Sequence, residues 1–315
     1  MGHFGVAEKL VAERRAVLER LSPYHFLQEV GAHDQLGVGR AARFGNQVHE
    51  QLFTSGKAQF LYELLPWDSQ FFDTPTYRLF SVLFEQDEQL ADLTNAVRDF
   101  QLKLASVAPS TYCFVEVPAE DIRLLQALTQ AGWRWNETRL HYYHQTHLAG
   151  FAAPRHAVRL ALPAEAVHLG QIAAAARNNY DRFHADPWFG ADRADAFLAR
   201  YAAAATEGYC DAVLVPDLPG LPVDSFMAIS DLQTDAALLG VKLSRVVLTA
   251  VGPDNRGWHL RLLSETLHRA RERGAAAVLM TTQATNRAVI RNAEKLNFAL
   301  GATTHVLSCP SPIHA

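Results

Sequence analysis

From residue 58 onward the sequence alternates short runs of β-branched and aromatic residues with longer amphipathic stretches. That alternation restricts the chain to an α/β layer architecture. Residues 59–65 and 76–84 read as strands, 87–107 as a helix, 112–117 as a strand, 120–130 as a helix and 133–145 as a long strand. The second half repeats the logic. Strands are expected at 158–162, 209–215, 225–232, 242–251, 276–281 and 303–308, and helices at 163–176, 192–205, 258–273 and 286–296. Before residue 58 the pattern is helical: Leu10, Val11, Val17, Leu18 and Leu21 form one stripe that Ser22-Pro23 ends, and a second helix is expected over 41–52. Lys9, Arg14, Arg15 and Arg20 interleave with Glu8, Glu13 and Glu19, which suits a solvated face or a partner helix better than a membrane.

Length and composition set the scale. At about 150 residues per domain, 315 residues suggest roughly two. The glycine and proline of 148–155 mark the best boundary, giving a helical extension over 1–57, a smaller α/β domain over 58–150 and a second α/β domain over 156–315. A formal net charge of -4 removes the simplest electrostatic case for a nucleic-acid partner. Cys113, Cys210 and Cys309 are too few and scattered for a disulfide framework, and Cys113, inside Tyr112-Cys113-Phe114-Val115, reads as a packed strand residue. With no signal peptide and no run of about 20 apolar residues, the expected location is the cytoplasm. His141, His144 and His147 do not share one strand face, so no metal site is expected.

The most informative stretch is 248–274. An apolar strand ends at Val251-Gly252-Pro253, and Asp254-Asn255-Arg256-Gly257 turns into a helix. Free backbone N–H groups at such a helix start favour an anion, and a glycine there lets phosphate approach the main chain. Thr281-Thr282-Gln283-Ala284-Thr285-Asn286 follows the next strand, then a helix carrying Glu294-Lys295-Leu296 and Phe298.

This order of strand, V-x-P-x-x-R-G turn, helix, strand, T-Q-x-x-N, helix and strand resembles the GNAT superfamily of N-acetyltransferases over 158–308. The segments Pro66-Trp67-Asp68-Ser69-Gln70-Phe71-Phe72, Phe114-Val115-Glu116-Val117-Pro118, Ala131-Gly132-Trp133 and Asp181-Arg182-Phe183-His184-Ala185-Asp186-Pro187 are similar to the dTDP-fucosamine acetyltransferases. The resemblance implies transfer of an acyl group from acetyl-CoA or another acyl-CoA to an amine, there on a nucleotide-linked amino sugar. The amine attacks the thioester while a backbone N–H at the strand end holds the oxyanion. Leu248, Ala250, Val251, Arg256, Gly257, Trp258, His259 and Asn286 are then the expected donor-binding residues. Trp67, Asp68, Arg182 and Phe183 are expected at the acceptor, and His184, Asp186 and His305 to handle protons.

Two departures matter. The superfamily's phosphate loop runs R-G-x-G-x-G, whereas Arg256-Gly257-Trp258-His259-Leu260-Arg261 keeps one glycine. Ala293 stands where these proteins commonly carry a proton-donating tyrosine, and Asn297 replaces a glycine, leaving Asn292, His305 and Tyr180 as nearby alternatives. Both losses raise two further readings. In one, the acyl group arrives on the phosphopantetheine of an acyl carrier protein, which brings one phosphodiester. In the other, the scaffold binds without turnover. Oligomeric state stays open.

Overall fold

The computed structural model describes residues 5–27, 30–147 and 153–311. The chain forms two units, Met1–Thr138 with Ala302–Ala315, and Arg139–Gly301. The first holds helices α1 (Glu8–Glu13), α2 (Arg15–Arg20) and α3 (Val38–Ala42), strands β1 (Glu50–Ser55) and β2 (Ala58–Leu64), α4 (Pro66–Phe72), β3 (Thr76–Leu83), α5 (Leu90–Ala105), β4 (Thr111–Pro118), α6 (Ile122–Gln130) and the start of β5 (Arg134–Gln145). The second holds the rest of β5, β6 (Val158–Leu160), α7 (Ala166–Ala175), α8 (Arg182–Ala185), α9 (Ala191–Ala204), β7 (Ala212–Pro216), β8 (Ser225–Ser230), α10 (Gln233–Leu239), β9 (Leu243–Val251), α11 (Trp258–Glu272), β10 (Ala277–Gln283) and α12 (Arg287–Lys295); β11 (Ala299–Ser311) follows.

In the first unit β1, β2 and β3 form an antiparallel meander, and β3 pairs in parallel with β4 through the crossover helix α5. Strands β3 and β4 are buried along nearly their whole length, as a parallel pair covered on both faces should be. On one face Leu93, Val97, Phe100 and Leu104 of α5, spaced for one helical stripe, pack on Phe60, Tyr62, Leu79 and Val115. On the other, Val11, Leu18, Ala41 and Phe44 cover Leu61, Phe80 and Leu83.

The second unit repeats the scheme. Strands β6 to β9 are antiparallel, and β9 pairs in parallel with β10 through α11. Leu262, Leu267 and Ala270 of α11 and Val289 and Ala293 of α12 cover one face; Leu169, Ile172 and Ala202 of α7 and α9 cover the other. Helices α7 and α9 approach so closely that a β-carbon on Gly170 would stand 2.7 Å from the Ala199 carbonyl oxygen.

Each sheet is completed by a strand that follows the other unit's last helix. Residues Thr304 to Ser311 of β11 pair antiparallel with β4, and Arg139 to Gln145 of β5 pair antiparallel with β10. The units therefore divide within β5 rather than at 148–155, a segment whose residues 148–152 lie outside the described ones. Likewise 302–311 belongs with the first unit, not with the 156–315 block. Nor is 1–57 purely helical: α3 stops at Ala42, and the stretch expected as a helix over 41–52 runs into β1, whose partner β2 follows after a tight turn. Among the described residues no helix is long and apolar enough to cross a membrane.

Candidate functional site

The second unit's parallel pair opens into a fork. Strands β9 and β10 are paired from Leu243 and Ala277 up to Val246 and Met280; beyond those residues each runs on without the other. The register against β8 skips from Leu248 to Val246, so Val247 is an extra residue, a β-bulge placed at the branch point. Bulges bend a strand and re-aim its peptide groups. Strand β9 keeps its β8 partner through Val251, so only its fork edge, from Val247 onward, is open to a ligand's carbonyl or amide.

The loop after β9 is held by polar side chains. Asn255 is fully buried: its Oδ1 accepts from the Asp224 N–H at 3.2 Å and the Ser225 hydroxyl at 2.7 Å, and its Nδ2 donates to the Pro222 carbonyl at 3.2 Å. The Asp254 N–H donates to Asp224 Oδ2 at 2.8 Å, and a β-carbon on Gly252 would stand 2.1 Å from Asp224 Oδ1. Gly257 adopts φ 88°, a left-handed conformation natural to glycine, and launches the 15-residue α11. Arg256 and Gly257 are exposed beside this helix start, and Arg256 pairs with no carboxylate among the described residues. Arg261 lies over the Trp258 ring at 5.0 Å. The loop offers a cation and a helix N-terminus to an anion.

Several expected donor contacts take other places. Trp258 is buried in the core cluster with Tyr142, Met280 and Ala293, since α11 turns its first residue inward. His259 is buried as well. Its Nδ1 accepts from Asn292 Nδ2 on α12 at 3.1 Å, its Nε2 has no partner, and burial lowers its pKa to about 4. A neutral, inward imidazole is no phosphate ligand. Asn286 is the N-cap of α12, its Oδ1 accepting from the Val289 N–H at 3.3 Å. The side chain of Ala250 is buried against the α7–α9 face, whereas Leu248 and Val251 remain half-buried on β9.

The loop over 177–189 is tied to the fork by Asn178, whose Nδ2 donates to Gln283 Oε1 at the end of β10 at 2.9 Å. Within it His184 is enclosed: Nδ1 faces Asp181 at 2.9 Å and Nε2 faces Asp195 at 3.1 Å, while Arg177 also pairs with Asp195. Both ring nitrogens face carboxylates, and neither is presented to an incoming amine. Asp186, 1% exposed, accepts from the Trp188 N–H at 3.1 Å and shapes the turn at Pro187. Buried Arg182 lies over the Phe183 ring at 4.2 Å. These four residues build the loop. Tyr180, between the anchors Asn178 and Asp181, is 61% exposed.

The remaining candidates are in the first unit. His305 on β11 packs against Trp135 with centroids 4.3 Å apart and meets Thr138 Oγ1 at 3.1 Å; burial lowers its pKa. Trp67 stacks on Phe71 within α4, which carries Asp68. A shallow cavity of about 400 Å³ nearby is lined by Ser69, Gln70, Asp73 and Tyr77 among others. All three cysteines are free and buried, and burial raises each thiol's pKa.

Sequence reasoning missed Asp224, Ser225, Asn178 and Asp195. Asn255 had a local signal, an Asp-Asn pair ahead of Arg-Gly, but its partners lie some thirty residues upstream.

No protein-family profile and no curated protein matches the sequence. Solved structures do. A GCN5-related N-acetyltransferase from Sphaerobacter thermophilus aligns over 95% of this chain and 91% of its own, with a TM-score of 0.54 at 11% identity. A functionally unknown conserved protein from Staphylococcus epidermidis ATCC 12228 aligns over 83% and 94%, with a TM-score of 0.54 at 13% identity. The chain has the fold of the GCN5-related N-acetyltransferases.

Proposed function

We propose that the chain is an N-acyltransferase whose second unit moves an acyl group from a thioester to the amine of a small polar acceptor. The observation that carries this is the fork, opened after Val246 and Met280 and bulged at Val247, with a rigid loop and a helix start beside it. An acyl-pantetheine arm is the chemistry such an edge fits: extended, rich in amides, and able to pair with β9 as a short strand would.

In the reaction the neutral amine nitrogen attacks the thioester carbonyl carbon. The new C–N bond pushes charge onto oxygen, which an amide of the bulged β9 segment stabilises. Collapse breaks the C–S bond, the nitrogen gives up a proton, and the thiolate takes one. Ala293 cannot donate it, and His184 is enclosed. Exposed Tyr180 on the anchored loop is the proton-handling candidate of this reading, and a thiolate of pKa about 8.5 leaves without strong help.

Arg256, Arg261 and the helix start hold the donor's phosphate. Acetyl-CoA is the simplest donor. The inward turn of Trp258 and His259 narrows the pyrophosphate contacts, and this favours as a second reading the single phosphodiester of an acyl carrier protein. An amino sugar, free or nucleotide-linked, leads as acceptor on the sequence resemblance. Thiol release from acetyl-CoA and from an acyl carrier protein, each with an amine panel, tests both. Release with either donor, reduced at least tenfold by Arg256→Ala, supports the proposal; no release with any pairing leaves a binding module.

A further inference from the structure

The two forks share one plan, differing by a single residue between branch point and helix start. In the first unit β3 and β4 are paired up to Leu79 and Val115, and the register against β2 skips over Phe80, a bulge at the branch point as at Val247. Six residues after Val115 comes Asp121, N-cap of α6; six after Met280 comes Asn286, N-cap of α12. Loops of equal length, 84–89 and 252–257, precede α5 and α11. Glu88 stands for Arg256, and Gln89, with an ordinary φ of -68°, stands for Gly257.

What lies at the mouth differs. Arg14, between α1 and α2 and 8% exposed, bonds through Nη2 to Asp121 Oδ2, while its guanidinium lies 4.0 Å over the Phe84 ring. Phe84 follows the end of β3 and Asp121 follows the end of β4, so one side chain spans both prongs. Its neighbours tighten the contact. The Gln86 N–H donates to Glu13 Oε2 at 2.9 Å, and Lys9 and Lys57 reach Glu85 at 2.6 and 2.9 Å. The Glu13 bond matches that of Asp224 to Asp254 in the second unit and is an anchor; among the described residues Arg14 has no counterpart there. Asp87 and Glu88 would in addition repel a phosphate.

We infer that Arg14 is a bolt across the first unit's fork, so the chain takes one thioester donor, in the second unit. The donor half of this statement rests on the function proposed above; the bolt does not. Two measurements separate them. Calorimetric titration of the wild-type chain with CoA is expected to give one site per chain, weakened at least tenfold by Arg256→Ala and unaffected by Arg14→Met; two sites in the wild type would overturn the inference. Native-state hydrogen exchange then reads the bolt without any ligand. Arg14→Met strips the partner from a buried carboxylate, and should speed exchange at least tenfold both in residues 83–86 and at the first turn of α6, with partial rescue by Arg14→Lys. Faster exchange on only one prong, or on neither, would show that Arg14 does not bridge them. Absence of any CoA binding would sink the donor reading while the exchange result still decides the bolt.

Discussion

His259 provides a test of the core beneath the fork. Its ring titrates near 6.5 in the unfolded chain and, desolvated, at about 4 in the folded one. Between those values the unfolded chain binds a proton that the native state refuses, so stability rises with pH. The contribution is fully present above about pH 6.5 and is lost progressively as pH falls toward 4. At pH 4.5 the loss relative to pH 7.5 comes to about 2–3 kcal/mol. Other groups titrate in the same range, among them His144 and His156, whose pKa values burial also lowers. The informative quantity is therefore the difference between the wild type and His259→Gln, which keeps a polar side chain without the titration.

Hydrogen exchange of the α11 amides at Leu262 and Leu263, both fully buried, follows the second unit alone. On going from pH 7.5 to 4.5 the wild type should lose about 2–3 kcal/mol more opening free energy than His259→Gln. Parallel profiles would refute the reasoning, showing either that water reaches Nε2 or that the ring swings out before it protonates.

Three further outcomes are expected. Asn255→Ala removes three hydrogen bonds inside the second unit and should cost about 2–4 kcal/mol, read from the urea midpoint. Gly252→Ala pushes a methyl into the Asp224 carboxylate and frees the Asp254 N–H, costing about 1–3 kcal/mol, and Asp224→Ala in the same chain should recover part of it. Cys113, Cys210 and Cys309 should resist a thiol reagent in the native state and react together only on unfolding, which mass spectrometry counts directly.

The sequence revealed most of the fold because its strands and helices carry their own periods. The expected helix at 258–273 is α11 to within a residue, and the expected strand at 242–251 is β9. What stayed hidden is non-local. Strand exchange changes no residue's local preference, so nothing in β5 or β11 announces which sheet each completes. The candidate site behaved likewise. Arg256 and Gly257 announce themselves by type and spacing, but His184 looked like a base until two aspartates from different turns closed on it. His259 looked basic and exposed because a helix start usually is; α12, 33 residues on, supplies the Asn292 that draws it inward.

On the function proposed above, the polar anchors around Asn255 serve the chemistry as well as the fold. An oxyanion donor lowers a barrier only if its dipole is already aimed when charge develops, because reorienting it during the reaction would consume the gain. A strand edge that has lost its partner is poorly suited to that task, since unpaired peptides librate. In the second unit β9 escapes the difficulty by staying paired with β8 through Val251, and Asn255 and Asp224 fix the loop that follows. The fork thus combines one open edge with a stiff frame. In the first unit the equivalent edge is open too, yet Arg14 spans its mouth, which gives that sheet the same stiffness through an internal cation. On this argument Asn255→Ala should lower kcat for acyl transfer more than it raises the donor's KM, because Arg256 still holds the phosphate while the aim of the amides is lost. Equal effects on both constants would place Asn255 in donor binding alone and remove preorganisation from the account.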